Sequence, residues 1–341
     1  SNYPKDSTFI IVAGAAGEIG YSDKDFWAAD DCFVIVCPEH VSSRYIYHFL
    51  LNRQQSLYSK VRKASIPRLP RQAIDNIKIP VPPMAVQREI VRILDDYSAR
   101  TAELVKELEV ELEARKKQYE FYRDQLLSFD DVRGRRTADL QWKMLGDIAT
   151  VTKLAGFEFT KYVTYSETGN VIALRGLNVK NGKLDLSDVK YIDQSDLSKL
   201  ERSKLHIGDM LFTYVGTIGQ VALVDKEDKY YLAPNVALIR CDKKILLPEF
   251  MRYYFQSTQF WDRQINRLLQ SSSMKNIPMG KIRQFKICCP PFAEQERIVA
   301  ILDRFDALCN DLTSGLPAEI AARQKQFEYY RDKLLSFPES K

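Results

Sequence analysis

The chain has little of what metal or redox chemistry uses. Its three histidines, His40, His48 and His206, are scattered, and its six cysteines, Cys32, Cys37, Cys241, Cys288, Cys289 and Cys309, contain no Cys-x-x-Cys pair. Zinc and disulfide-exchange motifs are therefore excluded, and Cys288-Cys289 is expected to be a buried, reduced strand end. No run of about 18 apolar residues and no charged-then-apolar leader occurs, which points to a cytoplasmic protein without a membrane span. A P-loop, a serine elbow and carboxylate pairs set among polar clusters are also missing, so neither a catalytic centre nor a metal is expected.

What the chain has in abundance is itself. Gln87-Arg88-Glu89-Ile90-Val91-Arg92-Ile93-Leu94-Asp95 returns 208 residues later as Gln295-Glu296-Arg297-Ile298-Val299-Ala300-Ile301-Leu302-Asp303. Ala114-Arg115-Lys116-Lys117-Gln118-Tyr119-Glu120-Phe121-Tyr122-Arg123-Asp124 returns at the same interval as Ala322-Arg323-Gln324-Lys325-Gln326-Phe327-Glu328-Tyr329-Tyr330-Arg331-Asp332. A period this long is a duplicated module rather than a solenoid, and it implies a pseudo-two-fold molecule that binds two things or one two-part thing.

The net charge is only +5, but the cations are unevenly placed. Residues 41–83 hold Arg44, Arg53, Lys60, Arg62, Lys63, Arg68, Arg71 and Lys78 against Asp75. Residues 251–291 hold Arg252, Arg263, Arg267, Lys275, Lys281, Arg283 and Lys286 against Asp262. Basic stretches at equivalent places in two copies suggest a polyanion footprint, because each cation near a phosphate releases condensed counterions.

Pro80 to Pro83 and Pro290-Pro291 each precede a helical pattern, since proline suits the first turn of a helix and pushes its predecessor into extended backbone. Apolar residues from Ile90 through Leu94, Tyr97, Leu104, Leu108, Leu112, Tyr119 and Tyr122 to Phe129 follow spacings of three and four. The second copy runs from Ile298 through Leu302, Phe305, Cys309, Leu312, Leu316, Phe327 and Tyr330 to Phe337. These are coiled-coil seams, with one extra residue between Leu108 and Leu112. Ser314-Gly315-Leu316-Pro317 must interrupt the second helix, with a new helix starting near Pro317. An uninterrupted first helix over 84–129 would be on the order of 70 Å long. Two such narrow stripes are best buried on each other, antiparallel within one chain; a homodimeric coiled coil is the alternative. Tyr119, Tyr122, Phe327 and Tyr330 are then core residues of the paired helices.

The remainder reads as mixed α and β. Residues 171–175 and 209–214 look like strands, Asn181-Gly182 is a hairpin turn, and 196–203 after Ser195 looks like a short capped helix. Residues 130–137 form a polar linker. Taking Met210-Leu211-Phe212 as the partner of Ile11-Val12-Ala13, about 60 residues that precede this point in the second module are expected to be missing from the first. Phe9 to Gly20 carries Gly14, Gly17 and Gly20 in the manner of a dinucleotide fingerprint, but a turn and a strand follow instead of a crossover helix. It reads as a tight loop whose backbone approaches a phosphate or a groove edge.

The repeated proline, helix and aromatic ending resembles the specificity subunits of type I restriction-modification systems. The residues carrying this are Ile79-Pro80-Val81-Pro82-Pro83 leading to Gln87, and Pro290-Pro291-Phe292-Ala293-Glu294-Gln295 leading to Leu302-Asp303. Gly315-Leu316-Pro317-Ala318-Glu319-Ile320 leading to Tyr329-Tyr330-Arg331-Asp332, Gly216-Thr217-Ile218-Gly219 and Leu145-Gly146-Asp147 add to them. The resemblance implies an α+β fold: two mixed α/β target-recognition domains, related by pseudo-two-fold symmetry and separated by two long helices packed as an antiparallel coiled coil. The first domain would span 1–83, its helix 84–129, a linker 130–141, the second domain 142–291 and its helix 292–337. It further implies double-stranded DNA with a bipartite target as ligand and two modification subunits docked on the helices, with a translocating restriction subunit as a further partner. S-adenosylmethionine would be the modification subunit's cofactor; this chain would hold none and catalyse nothing. Candidate DNA contacts are Glu18, Lys63, Arg68 and Arg71 in the first domain. In the second they are Arg175, Asn178, Thr217, Arg267, Gln270, Ser272, Lys275 and Asn276. A non-DNA coiled-coil scaffold and a dinucleotide enzyme built on Gly14, Gly17 and Gly20 are the competing readings.

Overall fold

The computed structural model describes residues 1–129, 140–154, 156–270, 276–311 and 313–337. The chain forms two compact units, one of residues 1–113 with 310–341 and the other of 114–309, so each unit owns one globular module and a portion of each helical segment.

In unit 1, β1 (Ser7–Ile11), β2 (Ile19–Ser22) and β3 (Cys32–Ile35) make an antiparallel sheet of order β2-β1-β3. Helix α1 (Ser43–Asn52) starts at Ser42, whose hydroxyl accepts from the Tyr45 amide, and buries Tyr45, Ile46, Phe49 and Leu50. Short helices α2 (Gln54–Tyr58) and α3 (Arg71–Asp75) follow. Helix α4 (Met84–Leu127) then runs 44 residues without a break, about 66 Å.

Unit 2 contains β4 (Gln141–Met144), α5 (Leu145–Ile148), β5 (Ala149–Lys153), α6 (Gly156–Tyr162), β6 (Ile172–Leu174), β7 (Val179–Lys180), β8 (Lys183–Leu184) and β9 (Lys190–Tyr191). Next come β10 (Met210–Thr213), β11 (Val221–Leu223), β12 (Tyr230–Leu232), β13 (Val236–Cys241), α7 (Pro248–Gln256), α8 (Thr258–Phe260), α9 (Asn266–Gln270), α10 (Met279–Arg283), β14 (Lys286–Cys289) and α11 (Phe292–Asn310). The last helix, α12 (Leu316–Leu335), belongs to unit 1. The main sheet, β11-β10-β13-β5, is antiparallel and apolar on both faces. Met210 and Phe212 enter one core with Phe250, Phe255 and Phe285, whereas Leu211 enters a second with Leu174, Tyr230 and Leu232. This period-two sorting explains why these strands read as continuous hydrophobic runs.

The helical segments pair antiparallel in both units. In unit 1, Ile90 and Leu94 of α4 share a core with Leu335, and the Tyr97 ring lies 5.7 Å from Phe327 and 5.8 Å from Tyr330. In unit 2, Leu127 shares a core with Ile298 and Leu302, and the Phe305 ring lies 6.5 Å from Tyr119 and 5.6 Å from Tyr122. Shifting either aromatic trio by 208 residues produces the other, so the same helix pairing recurs within each unit. The second segment breaks where expected: α11 ends at Asn310, and Gly315 stands at the N-cap of α12 with Pro317 in its first turn. Leu312 and the 130–139 part of the linker lie outside the described residues.

Two expectations are corrected. Residues 196–203 form two successive 3-10 turns, Leu197–Lys199 and Glu201–Ser203, with no side-chain cap, because the Ser195 hydroxyl is taken up by the distant Thr164 amide at 2.8 Å. The repeat in the glycine region is also displaced by three residues. The Gly17 amide donates to the Ile11 carbonyl and the Gly219 amide to the Thr213 carbonyl, so Met210, Leu211 and Phe212 match Thr8, Phe9 and Ile10. Residues 1–83 hold no counterpart of β4 through β9.

Candidate nucleic-acid interface

Each module mounts on its helix through one buried glutamine. The Gln87 side chain, fully buried, accepts from the Ser42 amide and donates to the His40 and Pro82 carbonyls at 2.7–3.0 Å. Gln295, equally buried, accepts from the Leu247 amide and donates to the Ile245 and Pro290 carbonyls at 2.8–3.0 Å. A second tie joins α1 to α4 in one module and α7 to α11 in the other. Asp95 receives Arg44 at 2.7 Å and His48 Nε2 at 2.8 Å, while Asp303 receives Tyr253 at 2.6 Å and Arg252 at 3.2 Å. Burial holds His48 below the ordinary imidazole value, against the pull of Asp95. Burial opposes ionisation of Asp95, but hydrogen bonds from Arg44 and His48 prevail and keep it below the carboxylate range. The imidazole is thus a neutral donor, and Arg44 is the charge partner.

In each module a glycine loop recurs after the central strand. In unit 1 the glycine loop after β1 turns through Gly14 (φ +73°) and Gly17 (φ +98°). It lies beside a small hairpin in which Arg62 and Arg68 exchange backbone hydrogen bonds. Ala13 bridges Arg68, and the Gly14 amide donates to Pro67. In unit 2 Gly216 (φ +76°) and Gly219 (φ +84°) make the same turn, and Val215 bridges Asn276, the equivalent of Arg68. The left-handed backbone demands glycine at Gly14 and Gly216, where an added side chain would meet only open space. Gly17 and Gly219 are also held by crowding, under Tyr58 and Trp261. The loop joins two antiparallel strands, so the dinucleotide reading is excluded.

In unit 1, Lys63 and Arg68 are exposed on the hairpin and make no ion pair with a described residue. Arg71, at the start of α3, pairs with Asp75 at 3.4 Å and lies over the Phe33 ring. Glu18 closes the glycine loop, its carboxylate receiving Tyr58 Oη at 2.7 Å and Gln54 at 3.2 Å, and this bond raises the Tyr58 phenol.

In unit 2, Arg175 and Thr217 meet in an open cleft of about 420 Å³ with Phe159, Tyr165, Thr213 and Asn235. Arg175 is partly covered and pairs with Asp188 at 2.9 Å. Arg267, exposed on α9, lines a different cleft with Trp142, Arg263 and Lys286. Asn276 is half-buried beside the glycine loop. Ser272 and Lys275 lie outside the described residues, and Gln270 is placed only as the last residue of α9.

Asn178 is not at a surface. It is 0% exposed, its Oδ1 accepts from the Arg175 amide, and its Nδ2 donates to the Asp185 and Asp188 carbonyls, so its capacity is spent on its own loop. One cation of the basic stretches is likewise internal: Arg252 is buried on the Tyr253 ring, while Arg283, though exposed, donates to the Val151 carbonyl. Asn235, exposed at φ +68° in the Arg175 cleft, and the two glutamine mounts were missed from sequence; for the glutamines, strict repetition beside proline was the available signal.

Comparison with known proteins bears on this geometry. The type I restriction modification DNA specificity domain matches residues 1–114 and 139–322. A putative type I restriction enzyme specificity subunit from Haemophilus influenzae, S.HindORF215P, is 31% identical over 98% of this chain and 84% of its own length. The EcoR124I/EcoR124II specificity subunit of Escherichia coli is 33% identical over 93% of this chain and 77% of its own. Among solved structures, a chain of a type I R-M system superposes with a TM-score of 0.66 at 16% identity, covering 98% of this chain and 82% of that one. The HsdS subunit from Thermoanaerobacter tengcongensis superposes at 0.55, also at 16% identity, over 98% and 80%. With both modules and most of the helical segments matched, the chain belongs to the type I restriction-modification DNA specificity family.

Proposed function

We propose that the chain is a DNA-reading subunit in which each module reads one half of a bipartite duplex site. In this reading α4 and the α11–α12 segment set the unread spacer and dock two methyltransferase subunits. One observation carries it: the same glycine loop, with a backbone bridge from the residue before its first glycine to Arg68 in one module and to Asn276 in the other, appears twice, each in a module on the same glutamine mount. Free cations such as Lys63 and Arg68 would hold phosphates and fix register, while Thr217, Asn276 and the Arg175 cleft would meet base edges. In the first module the glycine loop and the 62–68 hairpin would take part in that reading. S-adenosylmethionine and the methyl transfer would belong to the partner subunits.

The test is a duplex-binding titration of the chain with its methyltransferase subunits. Tight binding should require both half-sites, and log affinity should fall linearly with log salt, by a slope of about 0.9 per phosphate neutralised. Equal binding to all duplexes, or no salt dependence, would refute the reading in favour of a scaffold.

A further inference from the structure

In unit 2 one guanidinium beside the glycine loop is held in place before any ligand arrives. Arg175 follows β6 and precedes the 3-10 turn Gly176–Asn178, and its Nη2 donates to the Asp188 carbonyl at 3.0 Å and to Asp188 Oδ1 at 2.9 Å. Asp188 is itself fixed, because Asn178 Nδ2 donates to the same carbonyl at 2.7 Å. Arg175 Nε is shut off from solvent and has no acceptor among the described residues. Nη1, which bonds to no described residue, is therefore the donor left to face the cleft of about 420 Å³.

Charge decides what that cleft takes. Among the described residues lining it Arg175 alone is charged, and Asp188 neutralises it. A phosphate brought to Arg175 would meet the Asp188 carboxylate as well, which is 64% exposed. The walls are apolar and aromatic: Tyr165 and Leu177 are exposed, and the Phe159 and Tyr165 rings lie 5.4 Å apart. A donor-only group between such walls suits a flat, neutral ligand with two adjacent acceptors. In the major groove only guanine presents that edge, N7 beside O6; adenine and cytosine show a donor there and thymine a single acceptor. One nitrogen can serve both acceptors, as a lysine ammonium does.

We infer that Arg175 selects a guanine in the half-site met by the second module, with Asp188 as its positioning residue. This rests on the DNA reading and names what the cleft selects. The buried Asn178 acquires a purpose in the same scheme, since it anchors the Asp188 backbone and so cuts the freedom Arg175 loses on binding.

The test measures base preference on a randomised duplex library with the chain and its methyltransferase subunits. The unaltered chain should prefer guanine at one position of one half-site. Arg175→Ala combined with Asp188→Asn, which leaves the net charge unchanged, should cut that preference about tenfold or more at that position alone and leave the salt slope unmoved. Arg175→Gln should turn the preference to adenine, whose N6 and N7 match a glutamine amide; an arginine that only braced its loop would yield no new preference. Equal weakening on every duplex with the salt slope lowered by about 0.9 would make Arg175 a phosphate contact, and guanine retained in either variant would make it a brace; each overturns the inference. In both of those cases two half-sites are still selected, whereas no selection by the unaltered chain would refute the DNA reading itself.

Discussion

Replacing Gln295 with Ala removes the side chain that ties module to helix in unit 2. The Pro290 carbonyl lies in a buried hydrogen bond, whereas the Leu247 amide and Ile245 carbonyl are partly buried. An unsatisfied buried group costs about 1–3 kcal/mol, and a partly hydrated one about 1, so the loss should be about 3–5 kcal/mol. Against a typical stability of about 5–15 kcal/mol this is severe. Gln87→Ala strips the Ser42, His40 and Pro82 groups of the same three bonds and should cost unit 1 a similar amount. Denaturant unfolding followed by peptide-resolved hydrogen exchange separates the two units. Each substitution should lower the midpoint of its own unit by about 2 M urea, taking m near 2 kcal/mol/M, and leave the other unmoved. A change below about 1 kcal/mol in either variant would refute the clamp, and effects of very different size would count against equivalent mounting.

Substituting Lys275 and Asn276 with Ala should weaken recognition of one half-site, and Lys63→Ala with Arg68→Ala that of the other, each lost phosphate contact reducing the salt slope by about 1; equal loss at both halves for either pair would contradict a division of labour. Inserting four residues after Glu107 and four in the α11–α12 connection lengthens each helical segment by about 6 Å, so the preferred spacer, measured by duplex selection, should grow by about one to two base pairs; an unchanged spacer would remove the helices from that role. Because burial lowers His48, the unfolded imidazole binds protons that the folded one resists, and unit 1 should lose stability as pH falls below about 6.5. His48→Tyr, the residue found at Tyr253 in the other copy, should flatten thermal-unfolding profiles between about pH 6.5 and 5; a profile as steep as the original would contradict the assignment. The Asp95 contribution is lost only at lower pH, below the ordinary carboxylate range.

The long helices and their interruption at Gly315 were legible because proline, glycine and three-four spacing act locally. Tyr119, Tyr122, Phe327 and Tyr330, expected in a core, do make ring contacts between the helical segments, but Tyr119 and Phe327 are only half-buried and Tyr122 and Tyr330 are exposed. The register of the glycine region was not. Phe9 to Ala13 is an unbroken apolar run, so hydrophobicity fits several alignments equally, and only the Gly17 and Gly219 hydrogen bonds select one. Asn178 was misplaced for a related reason, since an asparagine that clamps its own loop and one that reads a base look alike until burial is known. The basic stretches mixed both kinds of cation: Arg44 and Arg252 brace the mounts, while Lys63 and Arg68 face outward. The sheet β12-β6-β9 depends on strands more than fifty residues apart, beyond the reach of any local pattern.

The most direct measurement is the methylation map of DNA from cells carrying this chain with its methyltransferase partner. Two short half-sites separated by a fixed, unread spacer are expected, with Lys275→Ala and Asn276→Ala altering one half alone. A contiguous motif, or methylation indifferent to this chain, would contradict the account.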